Sequence, residues 1–570
     1  MGIRFCQSID RAENFSLHSR IDPKKWKYMR LAVIECLSAR LCAFTPVGLI
    51  TALAAACLAL FLSGCASLPT GFVKPVSTAF QPASKNDTAL QRVVAASGAP
   101  KDLSGFRLLS TGAFAFNTRV ALARRAQRSL DVQYYIIHDD ETGHALLHEL
   151  EAAAARGVRV RLLVDDIGTE NQDQLLLHMA SQPNISVRIF NPFASGRSAV
   201  STRILSSIGD LKRINHRMHN KSFVADNAMA VTGGRNIGNE YFMHSTKSNF
   251  VDLDVFVVGP VVSDLSHVFD RYWNSDYVYP VGTLVQYDKT TADQVARSVL
   301  ASNMSTMVMM DGLAANVKQD VLGYGTVAAE IDAGKLDLVW ASASVVADSP
   351  SKVMGVTEET AADTASGMLM TLMGTAQSEL ILVSPYFVPG RAGIDAMREL
   401  RNRGVDITVL TNSLAATDTP IVHTGYSRYR VAMLKMGVHL YELSPTRREK
   451  VNMLDLLKSS RAKLHAKIAV LDHEQLFVGS INLDARSARE NTEQGLIIHS
   501  PKLAEQVLSL LAANKMDSAY RLRLAASGEQ IEWVDTDDGK EIIHDDEPNA
   551  GFFLKFILKL LAPIAPEELL

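Results

Sequence analysis

"RMHNKSFVAD" (217–226) and "LHAKIAVLD" (464–472) share one pattern: a histidine, a lysine two residues on, and an aspartate five residues after that. The residues are His219, Lys221 and Asp226, then His465, Lys467 and Asp472. The histidines are 246 residues apart, as are Gly233 and Gly479, and Asn236 and Asn482. Gly157 and Gly404, 247 apart, close two helix-like stretches in corresponding places. A spacing held over so much of the chain is duplication rather than coincidence.

The flanking text repeats in kind. "SLDVQYYIIH" (129–138) reads as a strand from its β-branched and aromatic residues. "GHALLHELEAAAARG" (143–157) has helical spacing and a closing glycine. "VRVRLLVDD" (158–166) and "SVRIF" (186–190) are further strands. "SELILVSPYFVPG" (378–390), "AGIDAMRELRNRG" (392–404) and "VDITVLTNS" (405–413) follow in the same order. Strand–helix–strand alternation predicts an α/β fold. The expected units are 105–291 and 336–528, related by a pseudo-two-fold axis with the active site between them. A helical, Met-rich connector over 292–335 is read as packing. Residues 66–104, rich in Ser, Pro, Thr and Ala, read as a linker. Residues 529–570 form a C-terminal tail.

The chain has 570 residues, 47% hydrophobic and 21% charged, with a formal net charge of -3. That composition supports a sizeable core. It gives no global basic signal for nucleic acid. All the cysteines (Cys6, Cys36, Cys42, Cys57 and Cys65) lie in the first 65 residues. A disulfide framework or thiolate zinc site is thereby excluded from the body of the chain.

"PVGLITALAAACLALFLSGC" (46–65) is an uncharged apolar run preceded by Lys24, Lys25, Lys27, Arg30 and Arg40. This is the layout of a secretory signal. The ending "LSGC" resembles a bacterial lipobox, which makes Cys65 the expected lipidation site, with Met29 as an alternative start. An uncleaved membrane anchor over 1–65 is the competing reading. Either places the chain in a bacterial cell envelope; the lipid anchor implies the periplasmic face.

Residues two apart on a strand share a face. His219 and Lys221 therefore point together, as do His465 and Lys467. Asp226 and Asp472 have the opposite parity and sit at turns, where they are expected to hold the hairpin and its neighbours. Gly234 and Ser480 are small enough for close backbone approach to a ligand. Asn236 and Asn482 offer neutral hydrogen bonds. Asp252 and Glu493, 33 and 28 residues after their respective motif histidines, are candidates to fix an imidazole tautomer; a plain salt bridge or cap competes with that role. Two histidines, two lysines and no cluster of metal ligands point to a site for an anionic phosphodiester that uses neither metal nor cofactor. One histidine acts as nucleophile and the other as acid, then base. One comes from each half, so each copy of the pattern is half of a site.

These residues resemble the phospholipase D superfamily with its paired HKD motifs, and most closely bacterial cardiolipin synthases of the C type. "RGVRVRLLVDD", "RMHNKSF", "GGRNIG", "YFVP", "HTGYSRYR" and "LHAK" carry the likeness, which covers about 105–570. The resemblance implies phospholipase D-type α-β-α sandwich units and a catalytic set of His219, Lys221, Asp226, His465, Lys467 and Asp472. It implies transfer of a phosphatidyl group onto phosphatidylglycerol through a phosphatidyl-histidine, with His219 attacking phosphorus and His465 moving the proton. Phosphatidylethanolamine is the implied donor. Hydrolysis to phosphatidic acid is the alternative outcome, and nuclease or phosphodiesterase activity a more distant one. Expected partners are phospholipids and a membrane surface, with no nucleic acid. "GFFLKFILKLLAPI" (551–564) fits a helix lying in the membrane interface, and "LKRINHR" (211–217) is locally basic.

Overall fold

The structure, a computed structural model, describes residues 67–84, 87–197, 200–286, 288–295, 297, 319–355, 360–445, 461–537 and 540–561. The signal segment with Cys65 and Met29 lies outside these residues, as does half of the Met-rich connector, including its methionines.

The first half contributes β1 (Ser104–Leu109), β2 (Ser129–Ile136), β3 (Arg159–Gly168), β4 (Ile185–Phe190), β5 (Ser222–Ala225), β6 (Met229–Gly233), β7 (Ser248–Val251), β8 (Asp254–Val258) and β9 (Val278–Pro280). The second contributes β10 (Val339–Ala347), β11 (Glu379–Val383), β12 (Asp406–Asn412), β13 (His439–Leu443), β14 (Arg461–Leu464), β15 (Ile468–Leu471), β16 (Gln475–Gly479), β17 (Gln494–His499), β18 (Ala519–Leu524), β19 (Ile531–Asp537) and β20 (Lys540–His544). The helices that matter below are α1 (Ala89–Ala96), α2 (Gly112–Arg125), α3 (Glu141–Ala155), α4 (Pro260–Trp273), α5 (Ala365–Gly374), α6 (Gly390–Asn402), α7 (Pro420–Ser427), α8 (Ala485–Arg489) and α9 (Phe552–Leu561).

In each half three strands run parallel: β2, β3 and β4, then β11, β12 and β13. Helices cover such strands on both faces, so they read as buried runs; every residue of β12 after Asp406 is buried. Gly157 (φ +93°) and Gly404 (φ +87°) lie just past α3 and α6 in the left-handed conformation that ends a helix without a Cβ penalty. An antiparallel hairpin follows beside the first strand of each trio, β5–β6 beside β2 and β15–β16 beside β11. The two sheets join where β1 pairs antiparallel with β10, Ser104 opposite Ala341. The sequence repeat is thus a structural duplication about that seam.

Both hairpins turn on a pair of left-handed residues, Asp226–Asn227 and Asp472–His473, with φ between 48° and 58°. Two such residues make the turn type that matches strand twist. Asp226 accepts from the backbone amides of Gln127, Arg128 and Ser129 at 2.7–3.1 Å. Asp472 does the same for Gln377, Ser378 and Glu379. The motif aspartates therefore tie each hairpin tip to the start of the neighbouring strand. Seven residues of extended chain place them roughly 20 Å from the histidines. Asp226→Asn keeps the turn conformation but loses a buried, charge-assisted cluster. It should cost about 2 kcal/mol in urea unfolding, while kcat of the folded protein stays near wild type. A collapse of kcat at unchanged stability would contradict this structural role.

Two stretches differ from expectation. Residues read as a free linker are docked: Ser77 N donates to Asn274 Oδ1 (3.1 Å), Ala79 N to Asp270 Oδ2 (2.8 Å) and Arg161 Nη1 to Ser77 O (2.9 Å). Arg161 is buried against Asp131 and Asp270, so its remaining donor needs an acceptor, and the strap supplies it. The helix α1 follows, opened by a Thr88–Gln91 capping box. The tail, in turn, is not only a terminal helix; it first adds β19 and β20 to the sheet edge beyond β18.

Candidate active site

Both motif histidines precede their strands, in extended lead-ins that cross to the other half. His219 N donates to Thr492 O (2.9 Å), and His465 N to Val251 O (2.8 Å). In each case the accepting residue stands just before an acid. β7 and β14, one from each half, pair in parallel to bring Val251 and His465 together. A single parallel bridge, Met218 to Thr492, does the same for the other pair.

The acids consequently serve the opposite half. Glu493 binds His219 Nδ1 at 2.9 and 3.1 Å. Asp252 Oδ2 lies 2.7 Å from His465 Nδ1. Both histidines are nearly buried and both carboxylate side chains wholly so. With Nδ1 committed, each imidazole keeps Nε2 for chemistry. Lys221 Nζ donates to His219 O (2.6 Å), and Lys467 Nζ to His465 O. The lysine of each motif thus folds back on its own histidine's carbonyl, in a lead-in that is not itself part of a strand.

Gly234 and Ser480, expected to admit a ligand, instead accommodate the acids. A Cβ on Gly234 would fall 2.1 Å from Asp252 Oδ1. Ser480 Oγ donates to Glu493 Oε2, and Ser487 Oγ to Glu493 Oε1 (2.8 Å). Asn236 is engaged inside its own half, accepting from Ile136 N and donating to Tyr241 Oη. Asn482 is different: its side-chain oxygen is buried and has no partner among the described residues. The basic stretch 211–217 is largely used internally. Arg217 is fully buried on Asp165, and Arg213 binds Asp210 and Pro192 O.

Several contributors carried no sequence signal. The Tyr135 ring stands edge-on to His219 at 5.1 Å and beneath Lys221 Nζ at 5.5 Å. Tyr241 and Phe250 flank His465 at 5.2 and 4.9 Å. Asp348, paired with buried Lys352 at 2.8 Å, accepts from Glu493 N at 2.9 Å. A lone tyrosine or an i,i+4 acid–lysine pair is too common to single out from text.

Burial sets the charge states. It pushes His219 down to about 4, with Lys221 and Lys467 adding repulsion and Glu493 opposing. His465 is lowered for the same reasons, with Asp252 opposing. Lys221 falls to about 7 and Lys467 to about 8, chiefly by burial. Burial alone would raise both acids, yet His465 and Lys467 hold Asp252 down, and His219, Lys221 and Ser480 hold Glu493 down. Two ionised carboxylates face two lysines, so an arriving phosphate would restore the lysines' positive charge. Among the described residues, one group has the geometry to hold a cation: His138, Asp140 and Glu240. Asp140, however, spends both oxygens on the amides of Gly143 and Asn239.

The model of the family described as "Cardiolipin synthase, PLD-like domain" matches residues 120–273 and 369–513, one segment in each half. Cardiolipin synthase C of Escherichia coli (strain K12) is 39% identical over 459 residues, 80% of this chain and 93% of the relative. Cardiolipin synthase A of Pseudomonas fluorescens is 26% identical over 411 residues, 72% of this chain and 68% of the relative. The crystal structure of phosphatidylserine synthase from Haemophilus influenzae matches 84% of this chain and all of its own, with a TM-score of 0.51 at 14% identity, a likeness of fold. Two family segments, each carrying one histidine of a shared site, fit a single assignment: the chain belongs to the phospholipase D-like cardiolipin synthase family.

Proposed function

We propose that this phosphatidyltransferase moves a phosphatidyl group from phosphatidylethanolamine to phosphatidylglycerol by double displacement at His219, making cardiolipin. In the first step His219 Nε2 bonds to phosphorus as the bond to the headgroup oxygen breaks, and His465 gives that oxygen its proton. In the second, His465 takes the proton of a phosphatidylglycerol hydroxyl, whose oxygen bonds to phosphorus as the phosphorus–nitrogen bond breaks. Lys221 and Lys467 neutralise charge on the phosphoryl oxygens. Asn482 is the further polar group for the phosphate. The observation that carries this reading is the pair of crosswise imidazole–carboxylate contacts around two buried lysines. His219, unprotonated above about pH 4, suits the nucleophile's role.

The test is lipid extraction from cells lacking other cardiolipin synthases, with and without this chain. Cardiolipin should appear with it. Phosphatidic acid rising without cardiolipin would make the protein a hydrolase instead.

The charge states also fix a pH profile. kcat/KM reports free-enzyme groups. It should rise as pH climbs through about 4, where His219 loses its proton; it should fall first as His465, the proton donor, loses its own below the ordinary imidazole range, and again through about 7 to 8 as Lys221 and Lys467 lose theirs. Bound phosphate favours the charged lysines, so the alkaline limb of kcat should lie higher than that of kcat/KM. Coincident alkaline limbs would take the lysines out of phosphate binding.

Membrane contact fits α9. Among the described residues no helix is long and apolar enough to cross a membrane. On α9, Phe552 (79% exposed), Phe553 (73%), Phe556, Ile557 and Leu560 face outward, while Lys555 is tied to Asp546. Such a face suits the lipid interface. Changing Phe552 or Phe553 to Ser should weaken sedimentation with phosphatidylglycerol vesicles about tenfold each, about half the worth of fully burying a Phe side chain. Undiminished binding would assign α9 another role. Attachment through Cys65 on the periplasmic side is part of the same proposal. Metabolic labelling with palmitate, lost in Cys65→Ser, tests it.

A further inference from the structure

The duplicated halves differ in one place that bears on substrate. In the first half α2 and α3 pack directly on each other. Their counterparts α5 and α6 stand apart. α5 is shorter, ten residues against fourteen, and reads "ASGMLMTLMG". A cavity of about 700 Å³ opens between them, floored by Leu369, Met373, Met397 and Leu400. That volume is ordinary for a bound small molecule. Methionine walls adapt to variable apolar shapes.

The inner wall leads to the chemistry. Asn482, 6% exposed with its unpartnered side-chain oxygen, lines the cavity. Its backbone N–H donates to Ser487 Oγ (3.2 Å), which donates to Glu493, the partner of His219. At the mouth stand Arg391 and Arg489, both exposed and, among the described residues, paired with no acid. An apolar chamber with a polar inner end at Asn482 and Asp484, and a rim where arginines outnumber the single acid Glu399, matches a chain-bearing phosphate ester at a bilayer surface.

We propose that this cavity receives one acyl chain of the phosphatidyl group while its phosphorus lies between His219 and His465. The assignment rests on the lipid-transfer reading and adds the place where chain length is sensed. Gly374 lines the cavity, and a Cβ there meets nothing within 4 Å. Gly374→Leu therefore fills space without backbone strain. With a long-chain donor, kcat/KM should fall about tenfold, the worth of roughly two buried methylene groups. With a short-chain donor it should stay unchanged, which also shows that the variant folds. Equal loss on both donors, or loss on neither, overturns the proposal.

A second variant reads the cavity without turnover. Ala396→Cys places a thiol on its wall, and no native cysteine follows Cys65. Alkylation at position 396, mapped by mass spectrometry, should slow in detergent micelles carrying long-chain phosphatidylethanolamine and not in those carrying the short-chain lipid. Equal labelling in both refutes the acyl assignment. Protection in a protein that transfers neither lipid would retain the cavity and discard the transferase reading.

Discussion

His219→Ala lowers cardiolipin formation at least about 100-fold, the minimum expected when a positioned catalytic group is removed. Alanine removes the atom that bonds phosphorus, and nothing nearby replaces it. Tyr135 sits against the imidazole, but burial lifts its hydroxyl to about 12, so it is a poor nucleophile at neutral pH. Glu493 would lose its main counterpart and stay buried with only the Ser480 and Ser487 hydroxyls and the two lysines to oppose its charge, so some stability should be lost as well. The measurement is transfer of labelled phosphatidyl groups in mixed micelles by protein shown to be folded. Undiminished product from His219→Ala would end the double-displacement scheme at this residue.

Asp252→Asn should behave as a defect of His465, though Asp252 lies in the half that carries His219. The loss with the natural donor is expected to be about 100-fold or more, because His465 loses the charge that orients it and steadies its protonated form. A donor with a phenol leaving group needs little proton transfer. With it, the first step should recover while the second stays slow, and phosphatidyl-enzyme should accumulate on His219, visible by intact mass. Glu493→Gln, which disables His219, should be slow with both donors and accumulate nothing. Matching behaviour of the two variants would dissolve the crosswise assignment.

The duplication was legible because the hairpin is rigid. β5 and β15, and β6 and β16, start 246 residues apart. Elsewhere loops drift: β4 and β13 start 254 apart, β8 and β17 240. The acids lie in that drifting region, which is why spacing pairs neither of them with a histidine. Counting along the chain ties each acid to its own motif, whereas the parallel contacts at Val251 and Thr492 send it across the axis. The small residues after each motif stood out, but their purpose did not. Only the close approach of Asp252 to Gly234 shows that the space is taken by the protein's own carboxylate. The docked strap was hidden because its hydrogen bonds are made mostly by backbone atoms, which leave little trace in side-chain composition.

The crosswise contacts also constrain how this chain can change over time. In most duplicated proteins one copy is free to decay or specialise while the other preserves the activity. Here each imbalance is felt on the far side of the axis: a drift near Gly234 registers at His465, and one near Ser480 at His219. Neither copy can be released from selection, so the two must be inherited as a matched set. Novelty is confined to features outside the shared centre, such as the gap between α5 and α6.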